Sequence, residues 1–175
     1  FNRYESFEQL ELYCYRVASC VGILSAHIFG YKNKNTLIFA KNLGIALQLT
    51  NIIRDLGEDA RRGRIYIPLD ELKKLGVSEE EIISLKNSGK IKNLVKNQVD
   101  RALKFYSLAI ETLPAEDKKS QKIGLIMGNI YYVLLNEILK DSPEKILNQK
   151  TILPGFRKLR ISILTMLGFS WIKDT

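Results

Sequence analysis

Apolar residues recur along most of the chain at intervals of three and four, the spacing that lines one face of an α-helix, and long alternating strand patterns are absent. Residues 7–29, "FEQLELYCYRVASCVGILSAHIF", predict a first helix ending near Gly30. Residues 36–60 predict a second, very apolar until its last turns. "RRGRIYIP" reads as an exit loop, and Pro68 reopens a short helix in "LDELKKLG". Ser78 followed by Glu79, Glu80 and Glu81 is a helix start of the capping type. Long helices over 91–113 and roughly 116–141 meet at a turn begun by Pro114, and a last helix is expected over about 156–172. "KNSGKIKN" (86–93) is the best candidate for a flexible loop, and no internal repeat is present. The pattern predicts one all-α domain over residues 1–175.

Composition narrows the class only slightly. At 175 residues, 46% hydrophobic and 26% charged, the chain matches an ordinary globular domain with a sizeable core. Its 27 Lys and Arg against 19 Asp and Glu leave a net charge of +8, which attracts nucleic acid, anionic headgroups or phosphorylated small molecules alike. The lysines scatter over 73–122 and 140–158 while the tyrosines sit in apolar runs, so the interleaving of aromatics with cations that marks a nucleic-acid module is missing. Cys14 and Cys20 are too far apart in azimuth on one helix to bridge or to hold a metal; buried free thiols in a reducing, cytoplasmic setting are expected. A single histidine, His27, excludes a multi-histidine metal site and is expected to be structural. No segment reads as a signal peptide or membrane span: "GLIMGNIYYVLLNEIL" (124–139) is too short and is interrupted by Asn129 and Asn136.

One stretch carries candidate chemistry, "NIIRDLGEDARRGRIYIP" (51–68). On a continuous helix Gln48, Asn51, Asp55 and Asp59 fall within about 80° of one another. Ile45, Leu49, Ile52, Ile53 and Leu56 occupy the other side. An amide every few residues within "LGIALQLTNII" is costly to bury without a partner. Two carboxylates and two amide oxygens are hard ligands that favour Mg²⁺, with Mn²⁺ as a substitute, over zinc or copper. Arg54, Arg61, Arg62 and Arg64 supply cations for a multiply charged diphosphate. The competing explanation is a row of surface ion pairs, each worth little.

The wider string "LGIALQLTNIIRDLGEDARRGRIYIPLDEL" resembles the second aspartate-rich region of the squalene and phytoene synthase family, and "YCYRVASCVG" (13–22) resembles its upstream tyrosine-containing helix. The resemblance covers nearly the whole chain and weakens after about residue 140. It implies an all-α isoprenoid synthase fold with a central cavity, in which two allylic diphosphates condense head to head through a cyclopropyl diphosphate. Carried onto this chain, Asp55 and Asp59 are Mg²⁺ ligands assisted by Asn51, and Gln48 faces the same cavity. Arg54, Arg64, Tyr66 and Tyr131 contact diphosphate, and Tyr13 lies near the reacting centre. Tyr13 is alternatively a core tyrosine with a bonded hydroxyl. The small residues of "VASCVG" either leave room for a prenyl tail or serve close helix packing, with Ala18 and Gly22 leaning to the latter.

The family uses two aspartate-rich motifs, and this chain shows one; Asp70, Asp100, Asp117, Asp141 and Asp174 include no second pair four apart. The chain also starts at Phe1 within a charged amphipathic pattern. A C-terminal portion of the enzyme, lacking the N-terminal helices and inactive alone, is therefore expected. "RDLGEDARRGRIYIPLDEL" leans toward phytoene synthases and "YCYRVASCVGILSAHIFGY" toward presqualene diphosphate synthases, with C15 condensation narrowly preferred. No Gly-x-Gly-x-x-Gly fingerprint supports NADPH. The cationic surface and the C-terminal "GFRKLRISILTMLGFSWIK" suit peripheral association with the inner face of a membrane, and no nucleic acid is expected as partner. A non-catalytic relative of the family is the remaining alternative.

Overall fold

The computed structural model describes residues 2–86 and 88–172. Within them the chain forms ten α-helices and no strand. They are α1 (Phe7–Cys14), α2 (Cys20–Phe29), α3 (Asn35–Arg54), α4 (Leu56–Arg61), α5 (Leu69–Lys74), α6 (Glu79–Ile83), α7 (Lys90–Thr112), α8 (Lys122–Lys140), α9 (Pro143–Asn148) and α10 (Gly155–Met166). A π-helical turn, Tyr15–Ser19, joins α1 to α2 without a break in the rod.

α3 is the axis of the molecule because it is apolar on nearly every side. Phe39, Leu43, Ile45, Leu49, Ile52 and Ile53 are all at most 5% exposed. α7 packs along it with the stripe Ile91, Leu94, Val95, Val99, Ala102, Tyr106 and Ala109. A polar pair in that interface is self-contained: Thr50 Oγ1 lies 2.9 Å from the Tyr106 hydroxyl, and Thr50 also donates to the Ala46 carbonyl. α2, the π-turn and α8 cover other sides of α3. Close approach there depends on the absence of side chains. A Cβ on Gly44 would stand 2.7 Å from Ser19 Cα, and one on Gly22 would stand 2.8 Å from the Ala40 carbonyl oxygen. Gly22 therefore serves packing, as expected.

Several boundaries differ from those read off the periodicity. The second helix does not run unbroken to residue 60: it stops at Arg54 and restarts at Leu56. The helix expected from 116 is a 3-10 turn at Ala115–Asp117, and α8 begins only at Lys122. The last helix ends at Met166, not 172. The loop expected over 86–93 is shortened because α7 starts at Lys90; of its residues, Asn87 lies outside the described set. α9 was not anticipated. Cys14 is buried and free as expected, whereas Cys20 is free but only half-buried. His27 is exposed, edge-on to Tyr31, rather than structural in a core. Two stretches, Phe7–Phe29 and Asn35–Arg54, are long and apolar enough by length and composition to cross a membrane, contrary to the reading of the sequence. The second is mostly buried as the core helix, while only 17% of the first is buried.

Candidate functional site

The candidate stripe sits where α3 gives way to α4. Asp55 leaves helical geometry (φ −96°, ψ 9°), yet its N–H still donates to the Asn51 carbonyl at 2.9 Å and its carbonyl accepts from the Asp59 N–H at 2.8 Å. The row of polar side chains thus continues across a bend. Glu58 and Asp59 fall in the first turn of α4. Gly63, at φ 70°, turns the chain back so that the N–H groups of Arg62 and Arg64 both bond the Asp59 carbonyl, at 3.0 and 2.9 Å. The following segment lies against the N-terminal strip, with Ile65 N–H bonded to Asn2 and Leu69 N–H to Tyr4.

Asn51 carries the most telling feature. Its Oδ1 is buried without a hydrogen-bond donor, while its Nδ2 donates to Gln48 Oε1 at 3.4 Å. A buried acceptor left unpaired costs about 1–3 kcal/mol, and a cation bound at that oxygen removes the penalty. Asp55 is the reverse case. Arg54 grips it with two bonds, Nε to Oδ1 at 2.8 Å and a terminal nitrogen to Oδ2 at 2.7 Å, and Lys150 Nζ meets Oδ1 at 2.9 Å. Burial opposes ionisation of Asp55, but Arg54 and Lys150 outweigh it and hold the carboxyl below the ordinary carboxylate range. Asp59 moves the other way: burial and the charge of Asp55 push it up, with Arg64 opposing.

No cluster of three or more His, Cys, Asp or Glu is present among the described residues. The available donors are two carboxylates and an orphaned amide oxygen, all hard and few in number. That set fits Mg²⁺, which keeps water and phosphate oxygens in its remaining positions. It does not form a closed cage.

Two cavities meet at Tyr131. One, of about 360 Å³, runs between the π-turn, α2, α3 and α8; its walls include Val17, Val21, Phe39, Leu43 and Met127, with Gln48, Asn51 and Tyr131 as polar members. Ala18 and Gly22 line it too, so the small residues serve packing and cavity alike. The other, of about 290 Å³, is lined by Arg54, Tyr131, Lys150, Lys158 and the segment 151–153. Arg54 and Tyr131 share the wall of this second cavity.

Gln48, Asn51, Arg54, Asp55 and Tyr131 are thus brought together, with Asp59 one turn beyond. Tyr13 and Tyr66 are not on either cavity wall. They form a trio with Tyr4, ring centroids 5.4–5.8 Å apart. Burial, then the hydrogen bond to Tyr66, pushes the Tyr13 phenol well up, and Tyr4 is pushed up to about 12, chiefly by burial. Arg64 is exposed; its N–H bonds the Asp59 carbonyl and its charge opposes the upward shift of Asp59. Arg61 turns away to cap α9, donating to the carbonyls of Leu147 and Asn148. Tyr4, Lys150 and Lys158 were not anticipated; nothing local in the sequence separates those lysines from the many others.

A family model described as squalene/phytoene synthase matches residues 1–157. The chain belongs to the squalene/phytoene synthase family. Among curated members, it is 36% identical over 179 residues to a phytoene synthase of Arthrospira platensis, covering 95% of this chain and 58% of that protein. It is 43% identical over 143 residues to a chloroplastic phytoene synthase 2 of Solanum lycopersicum, covering 78% and 46%. Among solved structures, a dehydrosqualene synthase in complex with ligand superposes with a TM-score of 0.79 at 27% identity, covering 95% of this chain and 59% of that one. A squalene synthase, HpnC, from Alicyclobacillus acidocaldarius shares the fold at a TM-score of 0.68 and 24% identity, covering 85% and 55%. The architecture is the all-α isoprenoid synthase fold. This family member spans about half the length of the curated relatives it matches.

Proposed function

We propose that this chain carries a metal- and diphosphate-binding half of an enzyme that joins two allylic prenyl diphosphates head to head through a cyclopropyl intermediate. The observation that carries this is the buried, donorless Asn51 Oδ1 between Gln48 and the Asp55–Asp59 pair, at the polar boundary of an apolar cavity. Asp55, Asp59 and Asn51 would hold Mg²⁺, which when bound neutralises charge developing on a departing diphosphate. Arg54 and Tyr131, on the wall of one cavity, would orient phosphate oxygens from the protein side. The apolar walls of the cavity suit the prenyl chain of such a substrate. Tyr13, with its pKa raised, stays a neutral phenol at physiological pH. It lines neither cavity and packs with Tyr4 and Tyr66 instead.

The relatives favour two C20 geranylgeranyl diphosphates and phytoene as product, since those matched at 36–43% identity are phytoene synthases. Condensation of two C15 farnesyl diphosphates to presqualene diphosphate is the second reading, supported by the dehydrosqualene synthase neighbour and by the tyrosine-helix sequence. The test is an incubation of the complete reading frame with Mg²⁺ and equal C15 and C20 prenyl diphosphates, without NADPH. Mass analysis separates a C40 hydrocarbon from a C30 diphosphate, and absence of both refutes the proposal. The described residues contain one aspartate pair, so the 175 residues alone are expected to give no turnover.

A cytoplasmic enzyme resting on the inner face of a membrane fits the surface of α10. Phe156, Leu159, Ile163 and Met166 are 52–75% exposed on the side opposite buried Ile161 and Thr165, with Arg160 beside them. Sedimentation with anionic and neutral liposomes tests this; equal binding to both, or to neither, counts against it.

A further inference from the structure

The glycines along the apolar cavity are not all there for the same reason. A Cβ on Gly22 would stand 2.8 Å, and one on Gly44 2.7 Å, from backbone atoms of a neighbouring segment, so packing alone forbids a side chain at either. Gly124, on the α8 wall, is different. A Cβ there would meet the Phe39 ring at 3.5 Å and Leu43 Cδ2 at 3.7 Å, which is ordinary van der Waals contact. Its φ is not positive, so no backbone conformation demands glycine either. Alanine fits at this position and is favoured over glycine within a helix. What glycine supplies here is empty space.

That space lies far from the polar end of the cavity. Gln48, Asn51 and Tyr131 mark the polar end, and Phe39 stands three turns back along α3 beside Gly124. At 1.5 Å per residue, the α3 wall from Asn51 to Phe39 runs about 18 Å. Beyond it Gln121, 2% exposed, donates to the Gly30 carbonyl at 2.9 Å and fixes the far end. An extended chain advances about 1.2 Å per bond, the polypeptide value of about 3.3–3.6 Å spread over roughly three bonds. The main chain of a C20 prenyl group, about fifteen bonds, then reaches about 18 Å, and that of a C15 group, about eleven bonds, reaches about 13 Å. With its diphosphate end at Asn51, a C20 chain finishes beside Phe39 and Gly124, whereas a C15 chain finishes about one helical turn short.

We infer that Gly124 sets the chain length this cavity accepts, by leaving room for the last isoprene unit of a C20 prenyl diphosphate. The inference rests on the proposed head-to-head condensation and names which substrate it uses. A larger side chain at 124 takes the space of that last unit and leaves the path of a C15 chain open.

The test uses the complete reading frame with Mg²⁺, equal C15 and C20 prenyl diphosphates and no NADPH, in unmodified, Gly124→Ala and Gly124→Leu forms, each checked for folding by circular dichroism. The unmodified enzyme gives mainly the C40 product. A methylene-sized change in an apolar pocket discriminates by about tenfold or more, so Gly124→Leu shifts the ratio of C40 to C30 product at least about tenfold towards C30. Gly124→Ala, which fits without a clash, shifts it the same way by a smaller factor and carries the test if Gly124→Leu does not fold. A ratio unchanged in the folded variants overturns the inference, and so does an equal loss of both products. An unmodified enzyme that makes mainly the C30 product overturns it while head-to-head condensation stands. One that makes neither product refutes the condensation itself, and the inference with it.

Discussion

Gly44→Ala tests how the cavity wall is built. A methyl group at this position would stand 2.7 and 2.8 Å from Ser19 Cα and N and 2.9 Å from the Ala18 carbonyl carbon. All three are backbone atoms, so no rotamer change relieves the clash; α3 and the π-turn must separate. Overpacking of this kind costs about 1–3 kcal/mol, and a rigid backbone obstacle places it at the upper end. Replacing a mid-helix glycine by alanine returns about 1 kcal/mol in helix propensity. The net loss is then about 2 kcal/mol, or a fall in Tm of roughly 4–8 °C for a domain of this size. Gly89→Ala is the matched control, because that glycine has ordinary helical dihedrals and nothing within 4 Å of a Cβ. It should be neutral or slightly stabilising. Thermal unfolding by circular dichroism compares the two. A Gly44→Ala protein as stable as the unmodified chain would refute the close contact of α3 with the π-turn.

Asp117 is 1% exposed and accepts from the N–H groups of Lys32 and Asn33 and from Thr36 Oγ1, at 2.8, 3.0 and 2.6 Å. Burial raises its pKa, but these bonds prevail and lower it, so its contribution is complete above the unfolded carboxylate pKa and lost as pH falls through the lower folded value. Asp117→Asn should therefore be less stable than the unmodified protein at neutral pH, with the gap closing in acid; a gap constant with pH in denaturant titrations would contradict this. Asp59 has the opposite shift, so divalent-metal affinity should fall on acidification while pH is still above the ordinary carboxylate range, which Mn²⁺ titrations at stepped pH measure. Buried Asn129 accepts from the N–H groups of Trp171 and Ile172, at 2.8 and 3.4 Å. Asn129→Ala should cost about 1–3 kcal/mol and open residues 167–172 to limited proteolysis; unchanged cleavage would show that the contact does not hold that segment.

The helices were legible because burial imposes a 3.6-residue rhythm, and α3 and α7 kept theirs over most of their length. Ends were harder, because tertiary contacts set several of them. The break at Asp55 has no proline or glycine at that residue to announce it, and it coincides with α4 closing onto α9 at Gly57. α8 starts late because Asp117 is committed to the start of α3 and the chain turns around it. Two signals were present and outweighed by apolar periodicity. Ser142–Pro143 is a helix start, and Gly168 at φ 101° ends α10 with Phe169 N–H bonded back to the Leu164 carbonyl.

The candidate site divides along the same line. Gln48, Asn51, Asp55 and Asp59 were readable as a row because one helix and its continuation carry them. That Asn51 Oδ1 would be unpaired, and that Lys150 from the far end of the chain would join Arg54 on Asp55, was not readable, since both depend on packing between distant segments. Tyr13 was placed near the reacting centre by resemblance, and its partners Tyr4 and Tyr66 come from the N-terminal strip and the exit loop, which meet only in the fold.

A crystal of the chain grown with Mn²⁺ and pyrophosphate, with data collected at the manganese edge, tests the central claim most directly. The account predicts an anomalous peak bonded to Asp55, Asp59 and the Oδ1 of Asn51, with phosphate oxygens facing Arg54 and Tyr131. Manganese bound elsewhere, or pyrophosphate seated away from this stripe while Asn51 Oδ1 keeps no partner, would contradict it.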